Sequence, residues 1–251
     1  MTIAQPVAAT PIEALGEGAA GRLGVLTTSL LEAQCWRDAD RSHWSLASGA
    51  DGGRARDCAR QMVAEGVHGL VSFGLAVGLA PVARPGDLIV ADSVALPSGQ
   101  SLRSDRAWRD QLLEALAGSS LPVKVARVAG RDALLSTTVE KQRTFRLTFA
   151  AALDTESHVV AEAASTAGLP FLVVRAIVDP AEVNRPFAIQ AALAPDGAWR
   201  GFAVGARLCL RPWELPAAWR FMRESRAGLA MLREIARLLP LPVESSQALS
   251  A

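Results

Sequence analysis

A chain of 251 residues, half of them hydrophobic and a fifth charged, has ample material for one large core. Its formal net charge of +1 gives no bulk attraction to nucleic acid, and no apolar run reaches the length of a membrane span, because a charge, Gly or Pro interrupts each one. Cys35, Cys58 and Cys209 are odd in number and have no metal-ligand spacing, so the expectation is three buried thiols, no metal and a reducing cytoplasm.

Residues 1–21, rich in Ala, Pro and Gly, read as a loose tail without the basic start and apolar block of a secretory signal. Arg22–Thr27 predicts a first strand and Gly53–Glu65 a helix. His68–Phe73 predicts a strand ending in a Gly-rich turn. Asp87–Asp92 follows Pro85-Gly86 as a third strand. Arg106–Ala117 predicts a helix between Asp105 and Gly118. Pro122–Val128 alternates like a strand at the sheet margin, and Ala151–Asp154 is a short one. Ser157–Ala167 predicts a helix stopped by Gly168 and Pro170. Phe171–Val178 is almost continuously apolar, as a buried central strand should be. Strands alternating with helices predict an α/β sandwich of three layers, with a mixed, largely parallel sheet between helices.

From Pro216 to Leu239, residues Trp219, Met222, Leu229, Leu232, Ala236 and Leu239 recur at helical spacing. Arg220, Arg223, Arg233 and Arg237 lie mostly off that stripe. Between Arg207 and Arg237 there are seven arginines and three glutamates. Two readings stand: a last helix packed on the sheet, or a basic amphipathic helix on a membrane surface. The chain divides into a tail (1–21), a catalytic domain (22–205), a helical extension (206–240) and a second tail (241–251).

Candidate chemistry lies in three segments. Gly74-Leu-Ala-Val-Gly-Leu-Ala-Pro81 lets a ligand approach the backbone, but its spacing fits neither a dinucleotide fingerprint nor a phosphate loop. Leu153-Asp-Thr-Glu-Ser-His158 runs from a strand end into a helix. Val174-Arg-Ala-Ile-Val-Asp-Pro180 ends the most apolar strand. Ligands of open α/β sheets gather at the carboxyl ends of strands. Glu156 and Asp179 with Arg175 there suit a reaction that develops positive charge on a sugar, one carboxylate binding hydroxyls and another protonating a leaving group. The plain alternative is that Asp179 opens a turn before Pro180 and Glu156 caps the next helix.

Together these segments resemble the hallmarks of the nucleoside phosphorylase superfamily, and of its methylthioadenosine nucleosidases above all. The Gly74–Pro81 segment with Pro85-Gly-Asp87 is similar to the family's Gly-Ser-Ala-Gly-Gly-Leu and Gly-Asp pair. Asp154-Thr-Glu156 resembles Glu-Met-Glu, and Val173–Asp179 resembles Val-Val-Arg-Ala-Ile-Ser-Asp. Asp154-x-Glu-Ser-His158, Ser72-Phe-Gly74 and Arg211-Pro-Trp-Glu-Leu-Pro216 also resemble the hopanoid-associated phosphorylases. The resemblance implies cleavage of the purine N-glycosidic bond of adenosylhopane, releasing adenine and giving ribosylhopane or its phosphorylated form. The alternatives are a methylthioadenosine or S-adenosylhomocysteine type of nucleosidase, a purine nucleoside nucleosidase and, from another class, a non-catalytic nucleoside- or lipid-binding protein.

Carried over residue by residue, the resemblance makes Asp179 the general acid towards the purine, which requires a proton held there by burial. It makes Glu156 the ribose-binding carboxylate, Glu32 the group that activates water, and Arg175 the residue that positions the nucleophile. Asp132, Leu134 and Leu135 fall in the base-binding stretch, with Leu134 where an aromatic usually stacks. Ala76 and Val77 lie against the ligand, and Thr155 stands where a Met packs beneath the ribose. Leu75 replaces a Ser that binds phosphate or the attacking water. Retaining Glu32 while losing that donor favours water, with inorganic phosphate the only co-substrate to consider and no cofactor. His158 reads as structural, and His43 and His68 carry no motif. Phe187, Trp199, Trp213 and Trp219 are candidates to meet the lipid portion, each with core packing as the alternative. The resemblance also implies a homo-oligomer, a dimer first, in the cytoplasm and in peripheral contact with the inner membrane.

Overall fold

The computed structural model describes residues 22–39, 44–49, 51–194 and 196–239. The two predicted tails and His43 lie outside them. The strands are β1 (Leu23–Thr27), β2 (Trp44–Ala47), β3 (Gly69–Gly78), β4 (Leu88–Ala95), β5 (Ser101–Arg103), β6 (Val123–Gly130), β7 (Ala152–Asp154) and β8 (Phe171–Asp179). The helices are α1 (Leu30–Ala39), α2 (Gly52–Ala64), α3 (Arg106–Leu116), α4 (Thr138–Thr148), α5 (Ser157–Ala167), α6 (Gly201–Leu210) and α7 (Leu215–Leu238), with single 3-10 turns at Ile189–Ala191 and Pro212–Glu214.

The predicted α/β architecture is present: one mixed sheet flanked by helices. Its strand order is β2-β1-β3-β7-β6-β4-β5, and β8 pairs with both β3 and β4. The path β3-β7-β6-β4-β8 therefore returns to β3, so the sheet curls into a closed ring, a feature the alternating pattern did not predict. β8 runs parallel to β3 and antiparallel to β4, and is buried along its whole length. Its continuous apolar run follows from having neighbours on both sides and helices beyond them.

Helices cover both faces. On one, Trp36 of α1, Trp108 and Leu112 of α3, and Leu232 and Ile235 of α7 pack with Phe73, Val90 and Val174. On the other, Ala55 and Met62 of α2 and Val160 and Ala164 of α5 pack with Leu26, Leu70 and Val173. Asp51 caps α2 by accepting from the N–H groups of Gly53 and Arg54, and Thr137 with Glu140 forms a capping box on α4.

Four expectations change. The Gly-rich segment is not a turn: Gly74–Gly78 continues β3, and the ladder with β8 runs on through it, with a register shift between Ala76 and Val77. Cys35 and Cys58 are buried, but Cys209 is exposed, because α6 buries only Val204. The division at residue 206 falls inside α6. The α7 stripe is largely core, since Leu232, Ala236 and Leu239 are buried, whereas Trp219 is exposed. α7 comes so close to the sheet that a Cβ at Gly228 would lie 2.8 Å from Val178 Cγ1 and 2.9 Å from Leu75 Cδ2. A helix-interior Gly, which costs about 1 kcal/mol against Ala, is used here for that contact.

Candidate active site

The strand ends carry several of the candidate residues to the wall of one cavity of about 140 Å³, while Thr155, Glu156, Arg175 and Asp179 are not part of that wall. The turn after β1 supplies Thr28 and Ser29, and the first turn of α1 supplies Glu32. β3 supplies Leu75, Ala76 and Val77, β7 supplies Asp154, and β8 supplies Val178. Leu134, Arg185, Trp199, Phe221 and Leu229 close the remaining sides. The wall is mainly apolar and the polar groups gather on one side.

That side is built around Arg175, a guanidinium buried completely. Its Nε lies 3.0 Å from Asp154 Oδ2, an ion-pair distance without hydrogen-bond alignment. Its Nη2 donates to Glu156 Oε2 at 3.3 Å and also to Ser72 Oγ. Its Nη1 has no hydrogen-bond partner among the described residues. A Cβ at Gly74 would lie 2.6 Å from Glu32 Oε1 and 2.9 Å from Arg175 Nη1. Glycine is required there so that these two groups can sit side by side across β3.

Glu32 is buried, not an exposed helical residue. Ser29 and Glu32 cap α1 reciprocally: Ser29 Oγ accepts from Glu32 N at 3.3 Å, and Ser29 N donates to Glu32 Oε2 at 2.6 Å. The other oxygen, Oε1, accepts from Leu75 N at 2.7 Å. One carboxylate thus takes up the backbone donors of both the β1 turn and β3. Burial pushes its pKa up, opposed by those hydrogen bonds and by the charge of Arg175.

Glu156 stands at the N-terminus of α5 without capping it. Asp154 does that work, accepting from Glu156 N at 2.8 Å and Ser157 N at 2.6 Å. The Glu156 carboxylate is therefore free to turn inward, where Thr28 Oγ1 donates at 2.7 Å, Ser48 Oγ at 3.4 Å, and Thr155 Oγ1 also donates. Thr155 itself is buried. Burial pushes Glu156 up to about 7, the charge of Asp154 adding to the shift and that of Arg175 opposing it. Three carboxylates, Glu32, Asp154 and Glu156, thus share one buried guanidinium. The cluster sets three carboxyl groups around one guanidinium before any ligand arrives.

This arrangement has a pH signature. A carboxyl whose pKa is raised on folding stabilises the protein fully below its unfolded value, 4.5, and loses that contribution as pH rises through the folded value, about 7. Stability of the ligand-free protein is expected to fall across that window by up to about 3 kcal/mol from Glu156, with Glu32 acting in the same direction. Glu156→Gln should flatten the slope in urea unfolding between about pH 5 and pH 7. A slope retained in full by the variant would contradict the assignment.

Asp179 ends β8 and is buried beside two cations. Lys141 Nζ donates to its Oδ1 at 2.6 Å, and Arg185 Nε to its Oδ2 at 3.0 Å. Lys141, from α4, is fully buried and also donates to the carbonyls of Pro180 at 2.8 Å and Val183 at 2.7 Å. Burial lowers its pKa and the Asp179 charge works against that. Arg185 lines the cavity and Asp179 does not, so Arg185 stands between this carboxylate and the space. Sequence reasoning missed Lys141, Arg185, Thr28 and Ser48. Only the capping box at Thr137 could have placed the helix that carries Lys141.

Other candidates are not brought together. Asp132 is half-exposed and pairs with Arg56 of α2 at 2.8 Å and with His158 Nε2 at 3.1 Å. It ties α2 to α5, which fits the structural reading of His158. Leu134 lines the cavity, whereas Leu135 is packed in the core below it. Phe187 is covered by the guanidinium groups of Arg207 and Arg211, 4.4 and 4.3 Å from its ring centre, and is not part of the wall. Among the described residues no three His, Cys, Asp or Glu side chains are placed to hold a metal ion.

Comparison with known proteins places the fold. Among solved structures, the 5'-methylthioadenosine/S-adenosyl homocysteine nucleosidase of Helicobacter pylori is 14% identical, with a TM-score of 0.64 over 89% of this chain and 100% of that one. The corresponding nucleosidase of S. pneumoniae is 17% identical, with a TM-score of 0.63 over 86% and 99%. Futalosine hydrolase of Helicobacter pylori is 16% identical, with a TM-score of 0.58 over 64% and 88%. At these identities the likeness establishes a nucleosidase-type fold. A search of the curated proteins finds no match. The family model of the phosphorylase superfamily matches residues 45–194, the stretch that holds β3, β7, β8 and their carboxylates. That match spans more than half of the chain, and the chain therefore belongs to the phosphorylase superfamily.

Proposed function

We propose that the chain is a hydrolase of purine N-glycosidic bonds, acting on an adenine nucleoside with a large apolar group at its 5′ side, adenosylhopane, and releasing adenine and ribosylhopane. The observation that carries the reading is the buried set of Glu32, Asp154 and Glu156 around Arg175. As the bond to the base lengthens, the sugar gains positive charge, and a carboxylate cluster already in position stabilises it without reorganising. Glu156 accepts from the ribose hydroxyls. Once the purine has moved Arg185 aside, Asp179 loses one of its two cation partners, takes up a proton from solvent water and passes it to the departing base. Lys141 keeps the Asp179 carboxyl in place, and the chain and water supply every group that reacts.

Water is the nucleophile in this scheme. Glu32 already takes the N–H groups of Ser29 and Leu75, the donors an incoming phosphate would need. Its own negative charge repels an anion. Raised by burial, it is a stronger base for taking a proton from water beside Arg175 Nη1.

The apolar wall supports a lipid substrate over a small soluble nucleoside. A cavity of about 140 Å³ is close to the size that holds one benzene ring, so a purine riboside overfills it and extends past the exposed Trp199 edge. Trp199 both lines the cavity and is partly exposed, which gives the 5′ group a greasy exit. The fold likeness favours methylthioadenosine as the competing substrate. Parallel turnover assays separate the two. We expect kcat/KM for adenosylhopane to exceed that for methylthioadenosine at least about tenfold, a preference of ~1.4 kcal/mol in transition-state binding. Equal values, or the reverse order, would remove the lipid from the proposal and leave the hydrolase.

A further inference from the structure

Helix α6 is mainly apolar yet buries only Val204. With the turn that follows and the first turns of α7 it forms a strongly exposed apolar surface. Phe202 is 93% exposed, Leu210 75%, Trp213 71% and Trp219 63%. These side chains come from consecutive elements that touch one another. Trp199 and Phe221 line the cavity; Trp199 lies against Gly201 at the start of α6, and Phe221 packs on the cluster that holds Val204.

Its charge is one-sided. Between residues 200 and 223 there are five arginines, at 200, 207, 211, 220 and 223, and one acidic residue, Glu214. Glu214 is turned inward, accepting from Ala188 N at 3.1 Å and pairing with Arg211 at 3.5 Å, with only 16% of its side chain exposed, so four of the five arginines have no acidic partner within this segment. Arg207 and Arg211 lie over Phe187, and Arg223 lies over Trp219. The apolar side chains are thus rimmed by guanidinium groups. A second copy seated here by two-fold symmetry would set five arginines against five, with no exposed carboxylate between them. A partner that accepts aromatic rings and repays arginines is both apolar and anionic. Tryptophan and arginine together are the side chains that sit at the headgroup level of a bilayer.

We propose that this face, formed by α6, the Pro212–Glu214 turn and the start of α7, docks on an anionic lipid bilayer and sets the Trp199 edge of the cavity against it. It replaces the longer amphipathic segment expected from the sequence, most of whose stripe is core. The inference stands apart from the substrate reading, because binding is measured without turnover.

The test is co-sedimentation of the full chain with vesicles of phosphatidylcholine alone and of phosphatidylcholine with an equal part of phosphatidylglycerol. Wild type should partition at least about tenfold more strongly onto the anionic vesicles, and lose most of that preference as salt rises. Each arginine near such a surface contributes about fivefold. Arg200→Glu with Arg220→Glu should therefore lower partitioning at least about twentyfold. Phe202→Ser with Trp213→Ser should lower it at least about tenfold. All four side chains are exposed, so thermal unfolding should match wild type and exclude a folding defect. The proposal is overturned if wild type ignores anionic vesicles or if both variants bind them as wild type does. It is also overturned if light scattering shows that Phe202→Ser with Trp213→Ser converts a dimer to monomers while wild type binds no vesicles, which assigns the face to a second copy.

Discussion

Asp179→Asn is expected to release adenine at least about 10² times more slowly than wild type, the lower end of what a positioned general acid contributes. The side chains are nearly the same shape, and Asn keeps one oxygen to accept from Lys141 or Arg185, so the loss reads the missing acidic proton. The substitution also leaves the fully buried Lys141 without its carboxylate. Breaking a buried pair on one side costs roughly 3–5 kcal/mol of stability, and that alone could lower activity. Lys141→Met combined with Asp179→Asn separates the effects. The pair should recover much of the lost stability, since the fully buried Lys141 charge is then gone and only Arg185, which reaches solvent, lacks its partner, while the rate stays low. A folded Asp179→Asn protein with unchanged kcat, or a double variant whose rate recovers along with its stability, would remove the acid role.

Glu32→Gln is expected to cut hydrolysis by a further independent factor of about 10² or more, because an amide cannot take a proton from water. The backbone donors make this variant informative. Ser29 N and Leu75 N donate to the carboxylate at 2.6 and 2.7 Å, and the Gln oxygen can accept from only one of them at a time. One donor and Arg175 Nη1 then become available to an anion, so the residual activity should rise when phosphate is added, whereas wild-type activity should not. If Glu32→Gln retains the wild-type rate in phosphate-free buffer, Glu32 is only the capping partner of Ser29.

Much of this arrangement was legible in the sequence, and the parts that were not share physical causes. β1, β4, β7 and β8 announce themselves because a strand covered by helices needs an apolar run, and β6 by its alternation, although it lies between β7 and β4 and not at the sheet margin. β2 and β5 do not. Trp44–Ala47 and Ser101–Arg103 are short, and β5 is the last strand on its side of the sheet and largely exposed, so neither carries a strong pattern. Helix α6 lacks a polar face, which makes its sequence resemble a buried segment although it lies on the surface. Glu156 and Arg175 stand out from their place near strand ends and Glu32 from the resemblance, and the three converge. Asp132, from the resemblance, and Phe187, a candidate to meet the lipid, do not join them, since ion pairing to Arg56 and stacking under Arg207 and Arg211 depend on residues distant in sequence. Lys141 is the clearest omission. A lysine in the middle of a polar helix reads as solvated, and nothing local reveals that Asp179, Pro180 and Val183 meet it from across the fold.

Hydrolysis by a preformed carboxylate cluster is the central claim, and product analysis with adenosylhopane tests it most directly. Wild-type protein would be incubated with the substrate in phosphate-free buffer and again with added phosphate. Adenine would be quantified and the sugar product identified by mass. The account predicts equal amounts of adenine and free ribosylhopane, formed at the same rate in both buffers. Turnover that depends strictly on phosphate and yields a sugar 1-phosphate, or no adenine release in either buffer, would contradict it.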